Sequence, residues 1–208
     1  MSYLAIHKAL TQSIIDLNLG LPIAHQNKDF DPSTVFYLDY DGQTANFAEG
    51  LTITGATSGA TGVILVDVDA GATGTLTLNN VSGTFENDEI ITDTATGSAT
   101  VNGVLSSGGA TEFIDVTLLP ASTEVISKDT LDEEIGIYQI SIYSQSNTNI
   151  NTIYTIADTI EANYKHGLEL TSGTQKVFID RTSRNGGRNN NGWFVIDLSI
   201  NYIADLLR

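Results

Sequence analysis

The chain has no cysteine among its 208 residues, which excludes a disulfide framework and any thiolate chemistry. Basic residues are scarce: nine Lys and Arg stand against 25 Asp and Glu, for a formal net charge of −16. Lys8 and Lys28 are the only bases before Lys128, so Asp41–Glu112 carries nine acids and no base, a charge of −9, and the remainder, with sixteen acids against nine bases, is −7. That balance repels nucleic acid and anionic membrane surfaces at long range, although it leaves room for a local basic patch. No apolar run approaches the ~20 residues that span a bilayer. Met1–Leu10 lacks the basic-then-apolar order of a secretory signal. Synthesis and folding in a cytoplasm, without membrane contact, are expected.

What is present is alternation. In Phe113–Pro120, Ile114, Val116 and Leu118 alternate with Asp115 and Thr117, and in Ile137–Tyr143, Tyr138, Ile140 and Ile142 alternate with Gln139 and Ser141. A period of two marks half-buried strands. Between them a polar segment of mixed charge is too short for a helical crossover, so the spacing predicts an antiparallel pair with an extended loop. That loop, Glu124 to Glu134, reads as a mobile loop or as an inter-subunit contact ordered on assembly.

Two helices are expected. The first runs from a Ser2 cap to about Asn18, with Tyr3, Ile6, Leu10, Ile14 and Leu17 on one face, and Gly20 and Pro22 stop it. The second runs from about Asn149 to Lys165, buries Ile153, Ile156, Ala157, Ile160 and Tyr164, and ends on Lys165, His166 and a left-handed Gly167. Val35–Tyr40, Leu168–Leu170 and Lys176–Arg181 read as strands. The last strand is the clearest, with Phe194, Ile196, Leu198, Ile200 and Tyr202 alternating with Val195, Asp197, Ser199 and Asn201. An apolar tail follows, Ile203 to Leu207, exposed in part in a lone subunit.

The composition divides the chain. Residues 41–112 are strands of Thr, Val and Ile broken by Gly and Ser turns, which specify a small all-β module. It repeats itself at an offset of 38, matching Phe47/Phe85, Ile53/Ile91, Thr54/Thr92, Gly59/Gly97, Val63/Val101 and Val66/Val104. Phe36–Tyr40 and Phe113–Val116 look like two versions of one strand, so the module reads as an insertion at a strand end. The expected architecture is α+β: residues 1–40 and 113–208 form a mostly antiparallel sheet packed against two helices, and 41–112 an inserted all-β domain of two repeats.

Little here resembles a reaction centre. His7, His25 and His166 stand in unlike settings with no paired spacing, so no metal is expected. Asp67-Val68-Asp69 and Glu86–Glu89 lack the spacing of a calcium loop. No serine sits in GxSxG, and the Gly-rich TGATSGATG lacks a phosphate-reaching Lys. No enzyme and no cofactor are expected. Arg181, Arg184 and Arg188, followed by Asn189-Asn190-Asn191-Gly192, form the one basic cluster, predicted as a flexible loop between the last two strands. It is either a solvated loop that offsets surrounding acid or an arm that touches DNA or an acidic neighbour.

The ordered set LGLPIAHQN-x-F-x-P, VTLLPAST, GIYQISIYS, NTIYTIADTIEANY and WFVIDLSINY resembles the tail terminator proteins of long-tailed bacteriophages, over about the first forty residues and from 113 on. The inserted repeats look like modules of phage tail and fibre proteins and lie outside that pattern. The resemblance implies a structural virion protein of the tail and neck. Such a protein forms a homohexameric ring that caps the tail tube, stops its polymerisation and meets the head-completion proteins. It implies that Arg181, Arg184 and Arg188 face the channel where DNA passes or a partner ring. The ring-forming contacts would fall to Glu124, Asp132, Glu133, Glu134, Leu206 and Leu207. A head–tail connector, a tail tube subunit, or a surface-binding decoration module are the competing readings.

Overall fold

The computed structural model describes residues 3–26, 30–125, 131–146 and 150–207. The expected Ser2 cap and the expected start of the second helix at Asn149 lie outside them. The chain divides into two compact units, one of Met1–Leu19, Ala24–Lys28 and Glu112–Arg208, the other of Gly20–Ile23 and Asp29–Thr111.

The first unit is built on three long strands. β9 (Glu112–Val125), β10 (Leu131–Gln145) and β14 (Trp193–Leu207) lie side by side, flanked by β1 (Ile23–His25) on one edge and β12 (Gln175–Arg184) and β11 (Glu169–Ser172) on the other. β13 (Arg188–Asn190) adds to β14. In register, Val116, Ile140 and Leu198 stand opposite one another, as do Leu118, Tyr138 and Ile200. All are buried, and they form one apolar face, where each fully covered Ile or Leu contributes about 1.5–3 kcal/mol.

Helices α1 (Tyr3–Ile15) and α2 (Ile150–Asn163) cover that face, α1 over β11 and β12 and α2 over β10 and β14. Ile6, Leu10 and Ile14 recur at helical spacing and are buried, as are Ile153, Ile156, Ala157 and Ile160 of α2. α1 ends three residues before the expected Asn18, which takes φ +45° ahead of Gly20 at φ +69°. Just beyond α2, the Tyr164 hydroxyl donates to Leu10 O at 3.2 Å, and Gly167 is left-handed as expected.

The second unit is a closed barrel. β2 (Phe36–Ala45), β5 (Gly74–Ser82), β4 (Thr61–Asp69), β3 (Thr52–Gly55), β6 (Ile90–Asp93) and β7 (Ser98–Val101) follow one another by pairing, and β7 returns to β2. Closure removes the free sheet edges, which suits a module with few aromatics. Leu38, Ile53, Ile64, Leu76, Leu78, Ile91 and Val101 fill it, with Phe47 set edge-on to Tyr40 at 5.4 Å.

This architecture corrects the α+β expectation. Strand makes up 53% of the chain and helix 16%, so the protein is dominated by β-structure. Two causes account for the difference. The polar stretch expected as a loop is largely strand, since β9 runs on to Val125 and β10 begins at Leu131. Its ladder bonds come from pairing of β9 with β10 and of β10 with β14, which compensates for weak local propensity. The expected boundary after residue 40 falls inside β2, whose pairing partners are β5, β7 and β8 (Ser106–Ser107).

Candidate functional site

The basic cluster is ordered hairpin rather than flexible loop. Asn191 and Gly192 both take positive φ, +47° and +86°, the conformation of a two-residue type I′ turn. β13 is thereby folded back on β14, with Arg188 opposite Val195. The three arginines close in sequence are then separated in space. Arg184, opposite Leu198, lies on the helix-covered face, 2.7 Å from Asp158 and 3.3 Å from Glu161 of α2, with its guanidinium 6.0 Å from the Tyr154 ring centre. Its bond to Asp158 and the charges around it raise its pKa further.

Arg188 serves the opposite face. It reaches Asp197 with two nitrogens, Nη2 at 2.9 Å and Nε at 3.1 Å, and Asp197 also accepts from Ser141 at 2.7 Å. Arg181 follows a bulge at Asp180, is exposed, and lines an open cavity of about 290 Å³ with Glu161, Tyr164, Lys165, His166 and Thr182. Its surroundings mix both signs of charge beside the C-terminal end of α2, where the helix dipole is negative.

The face of the sheet away from the helices is polar and half-exposed. Asp115, Thr117, Gln139, Ser141, Asp197, Ser199 and Asn201 lie on it, tied by Ser199 donating to Gln139 at 3.0 Å. At one end Phe113 and Tyr143 stack at 4.4 Å with Trp193 edge-on at 5.1 Å. Toward the other end the face turns apolar, with Leu119, Ile135, Ile137, Phe178 and Ile203 partly exposed.

The residues expected between subunits cluster at that second end. Glu124 stands opposite Glu133, and Glu133 opposite Asp205, a row of acids across three strands, and Asp132 is opposite Leu206. Leu206 and Leu207 form the last described pairs of β14. The side chains of Glu124, Asp132, Leu206 and Leu207 lie outside the described residues. Glu134 differs from the rest: it is fully buried and accepts from the Tyr3 hydroxyl at 3.2 Å. Alternation places it on the helix side, a sign legible in the sequence once the strand is extended past Ile135.

Two acidic groups of the barrel are also shaped by the fold. Burial, then the charge of Asp67, pushes the Glu49 carboxyl up to about 7. Glu89 is buried and accepts from the backbone of Thr57, Ser58 and Glu86 at 3.1, 3.0 and 2.6 Å, and from the Ser58 hydroxyl. Burial opposes its ionisation, but these donors outweigh it and hold the carboxyl below its usual range. Among the described residues no three His, Cys, Asp or Glu side chains are placed to hold a metal ion, and no helix is long and apolar enough to cross a membrane.

Paired strands, a braced hairpin and a broad open face define a protein dominated by β-sheet. The family model described as "Phage tail terminator protein" matches residues 86–202, more than half of the chain. The chain belongs to the phage tail terminator family, and it is a structural component of the bacteriophage tail. The match starts inside the barrel and leaves out the N-terminal segment on which part of the sequence resemblance rested. No curated protein matches. One solved chain aligns over 98% of this chain and 96% of its own at 14% identity, with a TM-score of 0.49.

Proposed function

We propose that this terminator closes into a ring, a homohexamer, that caps the tail tube, stops its polymerisation and joins the tail to head-completion proteins of the neck. Membership of the family carries the reading. The open face of β9, β10 and β14 supports it: a ring needs two different surfaces on each subunit in a contact that closes by rotation. The acidic row at Glu124 and Glu133, with Asp132, Leu206 and Leu207 beside it, is the second surface. Like charges directly opposite one another destabilise a lone sheet and favour a neighbour that brings cations. Glu134 takes no part, being enclosed.

The role is structural and uses neither catalysis nor cofactor. The ring assembles in the host cytoplasm. Contact with DNA in the channel is transient and falls first to Arg181, because Arg184 and Arg188 are already held by carboxylates. The barrel of residues 30–111 is a module carried on the terminator domain and is dispensable for ring closure.

Native mass spectrometry across protein concentration and salt tests this. A discrete hexamer is expected, retained after deletion of residues 30–111. Open-ended polymer would instead assign a tube subunit. A monomer that stays monomeric when offered tail tubes would reject the ring.

A further inference from the structure

The repeat seen at an offset of 38 extends through the whole barrel. β2 and β5 begin 38 residues apart, at Phe36 and Gly74, and β3 and β6 likewise, at Thr52 and Ile90. Left-handed backbone recurs at the same spacing: Gly42 (+57°) with Asn80 (+50°), Gly50 (+80°) with Asp88 (+62°), and Gly71 (+92°) with Gly109 (+63°). Local hydrogen bonds recur too, Leu51 N to Ala48 O matching Glu89 N to Glu86 O, each at 3.4 Å. One unit is residues 36–73 and the other 74–111.

The pairing registers relate these units by a local twofold axis. Leu38 stands opposite Leu76, its own counterpart, and the pair Phe36–Leu78 becomes the pair Tyr40–Gly74 when the units are exchanged. On the opposite wall Thr54 stands opposite Thr92, again its counterpart, and Ile53–Asp93 exchanges with Gly55–Ile91. Two of the four seams between the units, β2–β5 and β3–β6, are therefore isologous, the geometry of a homodimer, and the other two, β4–β5 and β7–β2, are each other's counterparts. Neither unit can enclose its own apolar side: Leu38, Ile53 and Ile64 of one pack with Leu76, Ile91 and Val101 of the other.

We propose that the barrel is an intramolecular pair of one self-complementary unit, and that the surface each unit presents fits a second copy of itself carried on another chain. A chain with a single unit is then joined to its like through a barrel closed between chains. This is independent of the ring, which rests on the other unit.

The absence of cysteine makes the register directly readable. Directly opposed strand residues have Cα atoms about 4.5–5.5 Å apart, within the reach of a disulfide, and Thr54 and Thr92 are exposed. In the full chain, Thr54→Cys with Thr92→Cys is expected to oxidise within one chain. In a chain lacking residues 74–111, Thr54→Cys alone is expected to yield a covalent dimer on a non-reducing gel, at least fivefold more than Thr57→Cys in the exposed neighbouring turn. A third chain, with residues 74–111 replaced by a second copy of 36–73, is expected to melt cooperatively as the parent does. Equal cross-linking at positions 54 and 57, no cross-linking at 54, or failure of the duplicated chain to fold would each overturn the proposal.

Discussion

Arg184 donates to Asp158 at 2.7 Å, and this bond fastens the β12 end of the basic hairpin to the middle of α2. The same guanidinium meets Glu161 and lies against Tyr154, so one side chain holds a strand, a helix and a ring in register. Charge that looks available in the sequence is committed in the fold.

Replacing Arg184 by Ala is expected to lower stability by about 1 kcal/mol, the upper range for partly exposed ion pairs. Asp158→Ala should cost slightly less. Thermal melts at low salt and in 1 M salt check this, since the loss should shrink as the charges are screened. An unchanged melting temperature at low salt would mean that the hairpin is held by its ladder alone.

Glu49 gives the barrel a pH dependence of definite sign. Its folded-state pKa, about 7, lies above its ordinary value of 4.5, so the folded form keeps a proton that the unfolded chain releases. Stability conferred by that proton is full below about 4.5 and is lost as pH rises toward 7. Glu49→Gln should flatten the melting-temperature profile over that window and raise it at pH 8. Parallel profiles for the two proteins would dismiss the effect.

Glu89 acts in the opposite sense. Its buried carboxylate satisfies three backbone donors, so Glu89→Ala removes their shared acceptor, and a loss of about 1–3 kcal/mol is expected. Its folded-state pKa is depressed, so the stability it supplies is present above 4.5 and fades as pH falls through the lowered value. In urea melts the gap between variant and parent should be widest at pH 7 and should narrow as pH is lowered below 4.5.

Gly136 is a steric requirement. A Cβ there would come within 2.6 Å of Cζ and 2.8 Å of Cε1 of Tyr202, whose ring is fully buried and cannot move aside. Gly136→Ala is expected to cost about 1–3 kcal/mol through overpacking. Pairing it with Tyr202→Leu should recover part of the loss, and a double variant no better than the sum of the singles would show that the contact is not the cause.

The long strands and both helices were legible because their apolar residues recur at the period of the element: Ile114, Val116 and Leu118 in β9, Ile153, Ile156 and Ile160 in α2. The start of β10, Leu131 to Glu134, was not, because a strand paired on both sides draws its bonds from neighbouring strands and needs no apolar alternation of its own. The separation of Arg184 from Arg188 was likewise hidden, since it depends on two pairings with β14, that of β12 at Arg184 and that of β13, folded back by the Asn191–Gly192 turn, at Arg188.

The sequence by itself determined the absence of thiol chemistry, the acidic field, the helix positions, the core strands and the 38-residue repeat. These follow from composition and short-range periodicity. Tertiary structure alone decided that β2 joins the barrel, that the barrel closes around a twofold axis, and which arginines are spent on carboxylates. Each of these rests on pairing between residues distant in the chain, where register and burial, not local preference, set the free energy.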